Sequence, residues 1–217
     1  QNSERGHIMS TIHPPVRPQS SASGPIDFFR IWDLEEAAHL AVVGRIGDGR
    51  AAIVDQLLDH FVRMQGPTAV LYPVRNPQLS RVTTHAKGAA AAAVIVQQYL
   101  SELHSRYSAI ERRKLVALDP ILIVVESLDQ LLATTADQRL RRRLKLNLEA
   151  IALLGKEVNV HLVFSGDEVP RLAELTRKDL GIVAIANGQD ALPIAAGWFF
   201  APRSADPCAV RFDGGSE

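Results

Sequence analysis

The sequence predicts an α/β fold: a mostly parallel sheet flanked by helices. Three observations carry this reading. Short apolar runs such as Ile121-Leu122-Ile123-Val124-Val125 lack polar alternation, which is the pattern of strands buried on both faces. Between them lie longer segments with apolar residues at helical spacing. The two types alternate along the chain, so successive strands are joined by crossover helices and run parallel.

Residues Gln1 to Ile8 read as a vector scar before Met9, and are set aside. Ser10 to Pro25 holds four prolines and the run Gln19-Ser20-Ser21-Ala22-Ser23-Gly24, a composition that cannot build a core, so residues 1–25 are expected to be a flexible arm. The folded domain is expected over 26–217. His39 to Val43 is a short apolar run that ends at a glycine-rich turn, and is read as a strand. Ala51 to Arg63 places Ile53, Leu57, Leu58, Phe61 and Val62 on a helical stripe, stopped by Gly66-Pro67. Thr68 to Tyr72 is a second strand, closed by Pro73. Ala89 to Lys114 is a long helix with Ala92, Val96, Tyr99, Leu103, Tyr107 and Ile110 as its stripe. Ile121 to Val125 follows as a strand. Arg139 to Leu154 is a helix facing inward through Leu140, Leu144, Leu148 and Ile151. Val160 to Phe164, Leu180 to Ala186 and Trp198 to Ala201 complete the strands.

Composition narrows the class. The chain has 217 residues, 47% apolar and 22% charged, enough for one core without disulfides or metals. Lys plus Arg and Asp plus Glu are both 24, so the net charge is zero. That excludes a strongly basic nucleic-acid coat and an acidic tail, but leaves local basic patches open. A single cysteine, Cys208, excludes a disulfide framework and any cysteine-based zinc site, and fits a reducing compartment. No apolar run approaches the roughly 18 residues of a membrane span.

The most informative stretch is Gly44-Arg45-Ile46-Gly47-Asp48-Gly49-Arg50-Ala51. It has the spacing of a phosphate-binding loop, G-x-x-x-x-G-K-[ST], between a strand and a helix. In such a loop, glycines turn backbone N–H groups inward as an anion nest and the helix N-terminus adds its dipole. A lysine then neutralises phosphate and a hydroxyl holds Mg²⁺. Here Arg50 stands at the lysine position and Ala51 at the hydroxyl position. An arginine fork does not replace an ammonium, and a methyl group cannot ligate a metal. Asp48 adds negative charge inside the loop. A plain strand–turn–helix connection has the same glycines, and this loop alone does not separate the two readings.

A second motif belongs with the first. Loop enzymes of this kind place an acid at the end of a hydrophobic strand to hold Mg²⁺, often with a second acid as base. Glu126 and Ser127 stand at those two positions. Glu126 is long enough to reach an ion, and equally suits a solvated strand end. Ser127 cannot polarise an attacking water as a carboxylate does.

With these motifs in place, the chain resembles the FtsK/SpoIIIE motor domain, the RecA-like P-loop ATPase of DNA translocases, and its relatives in conjugative coupling proteins and type VII secretion. Four stretches carry the resemblance. Trp32-Asp33-Leu34 to Ala51 is similar to "D-L…P-H-L-L-V-A-G-x-T-G-S-G-K-S". Glu102-Leu103-His104-Ser105-Arg106-Tyr107, with Glu111-Arg112-Arg113-Lys114 after it, is similar to "E-M-E-R-R-Y". Ile121 to Leu132, with Asp129 retained, is similar to "I-V-V-V-V-D-E-x-x-D-L-L". Glu157 to Asp167 is similar to "A-G-I-H-L-I-L-A-T-Q", with Gly166-Asp167 where the sensor Thr-Gln stands. The second strand ends in Tyr72-Pro73-Val74 where the family has a D-x-K turn. The resemblance implies a RecA-like core over about 26–212, with ATP and Mg²⁺ as ligands. The departures at Arg50, Ala51, Glu126, Ser127 and Asp167 count against both ligands, and imply a fold retained with its hydrolytic site eroded.

Three functions follow as expectations. The first is an inactive or very weak ATPase acting as a scaffold or regulatory subunit of a translocation, conjugation or secretion machine, in the cytoplasm and with proteins of that machine as partners. The second is a working ATP-driven DNA or protein translocase, with Arg50 in place of lysine and Glu126 in place of aspartate. The third is a DNA-binding module using the basic run Arg139, Arg141, Arg142, Arg143 and Lys145. The same run also reads as the solvated face of an amphipathic helix. The histidines show no metal-ligand spacing, so no metal site is expected from them. The resemblance has histidines where His39 and His161 stand, which implies structural roles for both.

Overall fold

A computed structural model describes residues 26–34, 36–45, 49–64, 66–72, 84–112, 118–172, 180–185, 196–202, 204 and 206–212. The expectations for the arm over 1–25, for Gly47 and Asp48, for the turn at Pro73-Val74, and for Lys114 and Ala186 lie outside these residues.

The strands are β1 (Ile26–Asp27), β2 (His39–Val43), β3 (Thr68–Tyr72), β4 (Thr84–Lys87), β5 (Ile121–Glu126), β6 (Val160–Gly166), β7 (Leu180–Ile185), β8 (Ala196–Phe200) and β9 (Cys208–Arg211). They form one sheet in the order β1-β9-β8-β7-β2-β6-β5-β3-β4. The run from β7 to β4 is parallel throughout, while β7–β8 and β8–β9 are antiparallel. The helices are α1 (Phe28–Ile31), α2 (Arg50–Arg63), α3 (Gly88–Glu111), α4 (Leu128–Ala133) and α5 (Gln138–Leu154).

The unbroken apolar strands have a direct explanation. Ile121, Ile123 and Val125 of β5 face the layer of α3, α4 and α5. Leu122 and Val124 face the opposite layer, where Leu57 and Phe61 of α2 pack with Phe28 and Phe212. Both faces of the sheet are covered, so both residue parities are apolar. Helix α5 starts at Asp137, whose carboxylate accepts from the N–H groups of Arg139 and Leu140 at 2.8 and 3.1 Å.

Some sequence-based expectations are corrected. Helix α3 ends at Glu111, with Arg112 as its cap, and Ile110 faces solvent instead of the core. Val62 of α2 is also exposed, because the helix needs only Ile53, Val54, Leu57, Leu58 and Phe61 to cover its side of the sheet. Strand β8 begins at Ala196, two residues earlier than expected.

Candidate nucleotide-type site

The C-terminal edge of the parallel strands brings together most of the singled-out positions. The order β2-β6-β5 inserts β6 between the strand that feeds the loop and the strand that ends in Glu126. The loop's neighbour is therefore the end of β6. The Gly44 N–H donates to the Gly166 carbonyl at 3.1 Å, and Asp167 comes next in the chain. A Cβ at Gly44 would press on the Ile185 side chain, 2.8 Å from its Cδ1 and 3.1 Å from its Cβ, so Ile185 would have to shift. Gly49 caps α2 in the left-handed region, with φ of 90°, a conformation open to glycine at no steric cost.

Arg50, at the lysine position, turns back onto the protein. Its Nη1 donates to the Gly44 carbonyl at 2.8 Å and to Asp167 Oδ1 at 2.7 Å. The Arg50 side chain is 14% exposed and that of Asp167 62%. Ala51 presents an exposed methyl group on the first turn of α2.

Glu126 closes β5 and is half-buried. Burial raises its pKa; Arg50 opposes this and Asp55 adds to it. Ser127 follows with φ of 45°, a left-handed conformation uncommon for a residue with a side chain. The Ser127 N–H donates to the Ser165 carbonyl at 2.7 Å, which ties the turn to β6. A cavity of about 250 Å³ opens beside this turn, lined among others by Ser127, Asp129, Gln130, Phe164, Asp167 and Glu168. Asp129, retained from the resemblance, is exposed in the first turn of α4.

Sequence reasoning missed three things here: the pairing of Arg50 with Asp167, the field of Asp55 on Glu126, and the Gln130 and Glu168 walls of the cavity. The first had a signal. Arg50 opens the helix that follows β2 and Asp167 follows β6, so the two opposite charges lie beyond the ends of adjacent strands once β6 is placed beside β2.

The basic run lies elsewhere. Arg139, Arg142, Arg143 and Lys145 are exposed on the first half of α5, and Arg141 is half-buried. Lys145 pairs with Glu149 at 3.9 Å, four residues along the helix.

The described residues fit Mg²⁺–ATP poorly. The cation that would meet phosphate is already hydrogen-bonded within the protein. Ala51 offers no oxygen to a metal. Among the described residues, no group of three or more His, Cys, Asp or Glu is placed to hold a metal ion.

The strand order and the flanking helices give a RecA-like fold, the fold of FtsK/SpoIIIE-type ATPases. Among solved structures, the pCW3 conjugation coupling protein TcpA, in a monomer form with ATPγS, matches with a TM-score of 0.63 at 16% identity, over 84% of this chain and 62% of that one. The cytoplasmic domain of EssC matches with a TM-score of 0.63 at 13% identity, over 82% and 40%. The cytoplasmic domain of the Thermomonospora curvata type VII secretion ATPase EccC matches with a TM-score of 0.54 at 13% identity, over 85% and 25%. The chain thus spans less than two thirds of each of these structures. No protein-family model and no curated protein matches the sequence.

Proposed function

We propose that this chain is a scaffold or regulatory subunit of a translocation, conjugation or secretion machine, built on a P-loop core that no longer turns over ATP. One observation carries the reading: the side chain at the lysine position bonds to Gly44 and Asp167 of its own site. The absent hydroxyl at Ala51 and the absent acid at Ser127 support it. Each such group acts most strongly on the transition state, and losing one costs about 10²–10³ in rate. The likeness to a conjugation coupling protein and a type VII secretion ATPase supports proteins of such an assembly as partners. Two of the similar structures are cytoplasmic domains, and no helix among the described residues is long and apolar enough to cross a membrane, which supports a cytoplasmic placement.

The test is phosphate release by the purified chain with ATP and Mg²⁺. Turnover at background is expected. A rate of about 1 s⁻¹ or faster, the low end of ordinary enzymes, overturns the reading in favour of a working translocase.

A further inference from the structure

The proposed function uses Asp167 only as a partner of Arg50, although its carboxylate makes one of the shorter polar contacts at the site. We propose that Asp167 is a built-in counter-anion: it holds the Arg50 guanidinium in place of a ligand phosphate and so competes with free polyphosphates for that cation. This rests on the reading that the site does not turn over ATP, and adds the residue that regulates access to it.

The geometry supports this in three ways. Strand β6 lies directly beside β2, so Asp167, just past the end of β6, reaches Arg50, which also donates to the Gly44 carbonyl. The exposures are unequal. The guanidinium is largely enclosed, while its partner carboxylate is mostly in solvent. Asp167 is therefore the solvent-facing member of the pair, and a free anion competes with it for the guanidinium. Finally, the other acid in the field of Arg50 is poorly suited to replace Asp167. Glu126 sits under the influence of Arg50 and Asp55, with burial favouring its uncharged form. An anion arriving at Arg50 must displace a carboxylate already at 2.7 Å, and is repelled by it until it does.

The experiment is calorimetric titration of ATPγS, in EDTA, into the parent chain and into Asp167→Ala, Asp167→Asn and Arg50→Ala/Asp167→Ala. Metal is omitted because Ala51 supplies no ligand for it. The two single variants are expected to bind at least about tenfold more tightly than the parent, the scale of one charge-assisted contact. The asparagine variant keeps the shape of the side chain and separates charge from space. The double variant is expected to lose the gain. No gain in either single variant, or an equal gain in the double variant, overturns the proposal. Arg50→Lys/Ala51→Ser, made beside them, distinguishes the two failures. If it gains affinity while the Asp167 variants do not, the loop is an intact nest and Asp167 is not its gate. Rapid hydrolysis by the parent instead overturns the reading on which the proposal rests.

Discussion

The two edges of the parallel sheet treat their polar groups differently. At the N-terminal edge they are buried and paired. Arg106, 8% exposed, donates through Nη1 to the carbonyls of Asp119 and Val158 at 2.8 and 2.9 Å, and through Nε to Glu102 at 3.1 Å. His39 accepts the Leu162 N–H on Nδ1, so its Nε2 carries the proton that it donates to the Ala152 carbonyl at 2.8 Å. His161 donates from Nδ1 to the Ala38 carbonyl at 2.7 Å. These contacts tie α3, α5 and the strand entrances into one unit. At the C-terminal edge the groups are half-exposed or strained: Ser127 in a left-handed turn, Glu126 biased toward neutrality, Asp167 in solvent. Polar satisfaction at the first edge maintains the fold. The second edge consists of strand exits, where side chains can change without disturbing the sheet. Arg50, Ala51, Glu126, Ser127 and Asp167 all lie at this second edge.

This contrast can be broken most forcefully at Arg106. Replacing it with leucine orphans the buried Val158 carbonyl and the part-buried Asp119 carbonyl, and is expected to cost about 3 kcal/mol. Urea unfolding with an unchanged slope checks this, and a loss under about 1 kcal/mol would remove Arg106 as an anchor of that edge.

Next comes pH. Burial lowers the His161 pKa from 6.5 to about 4, with the bond to Ala38 opposing and the charge of Arg106 assisting. A neutral imidazole stabilises the folded state fully above the unfolded value. That stability is lost as pH falls from 6.5 toward about 4. At about 1.4 kcal/mol per pH unit, the full loss is at most roughly 3 kcal/mol, because Nε2 faces the Asn159 Oδ1 at 2.7 Å, an acceptor that favours the protonated ring. His161→Gln should flatten that part of the profile, and an unchanged slope would show that His161 does not titrate with folding.

At the other edge the effects should be smaller and opposite in sign. Ser127→Gly relieves a left-handed side chain and is expected to stabilise by about 1 kcal/mol, read as a rise in Tm. A fall in Tm would show that the Ser127 side chain contributes more than its strain costs. Glu126→Gln removes a carboxylate whose folded pKa is raised above 4.5. The charged form is penalised in the fold, so the variant should gain stability at neutral pH, and the gain should vanish below the unfolded pKa. A gain independent of pH would exclude charge burial as its cause.

The fold was legible where burial is two-sided. Strands β2, β3, β5 and β6 announce themselves because both parities are apolar. Strand β4 does not, since only Ala86 of its four residues is buried. Helix α4 is six residues long, too short to display a period. The short strands β1 and β9 pair with one another across nearly the whole sequence, which no local pattern encodes. At the site, the positions of Gly44 after β2, Gly49 before α2, and Glu126 and Ser127 at the end of β5 were legible from spacing. The Arg50–Asp167 pair was not, because its members are 117 residues apart and meet only through the placement of β6 between β2 and β5.

The central claim is that the C-terminal edge keeps the frame of a nucleotide site without its chemistry. Calorimetric titration of Mg²⁺–ATP into the unaltered chain tests it most directly. No saturable binding is expected up to about 1 mM, weaker than about −4 kcal/mol. A dissociation constant near about 1 μM would contradict the claim, since binding of that strength requires Arg50 to leave Asp167 and engage phosphate.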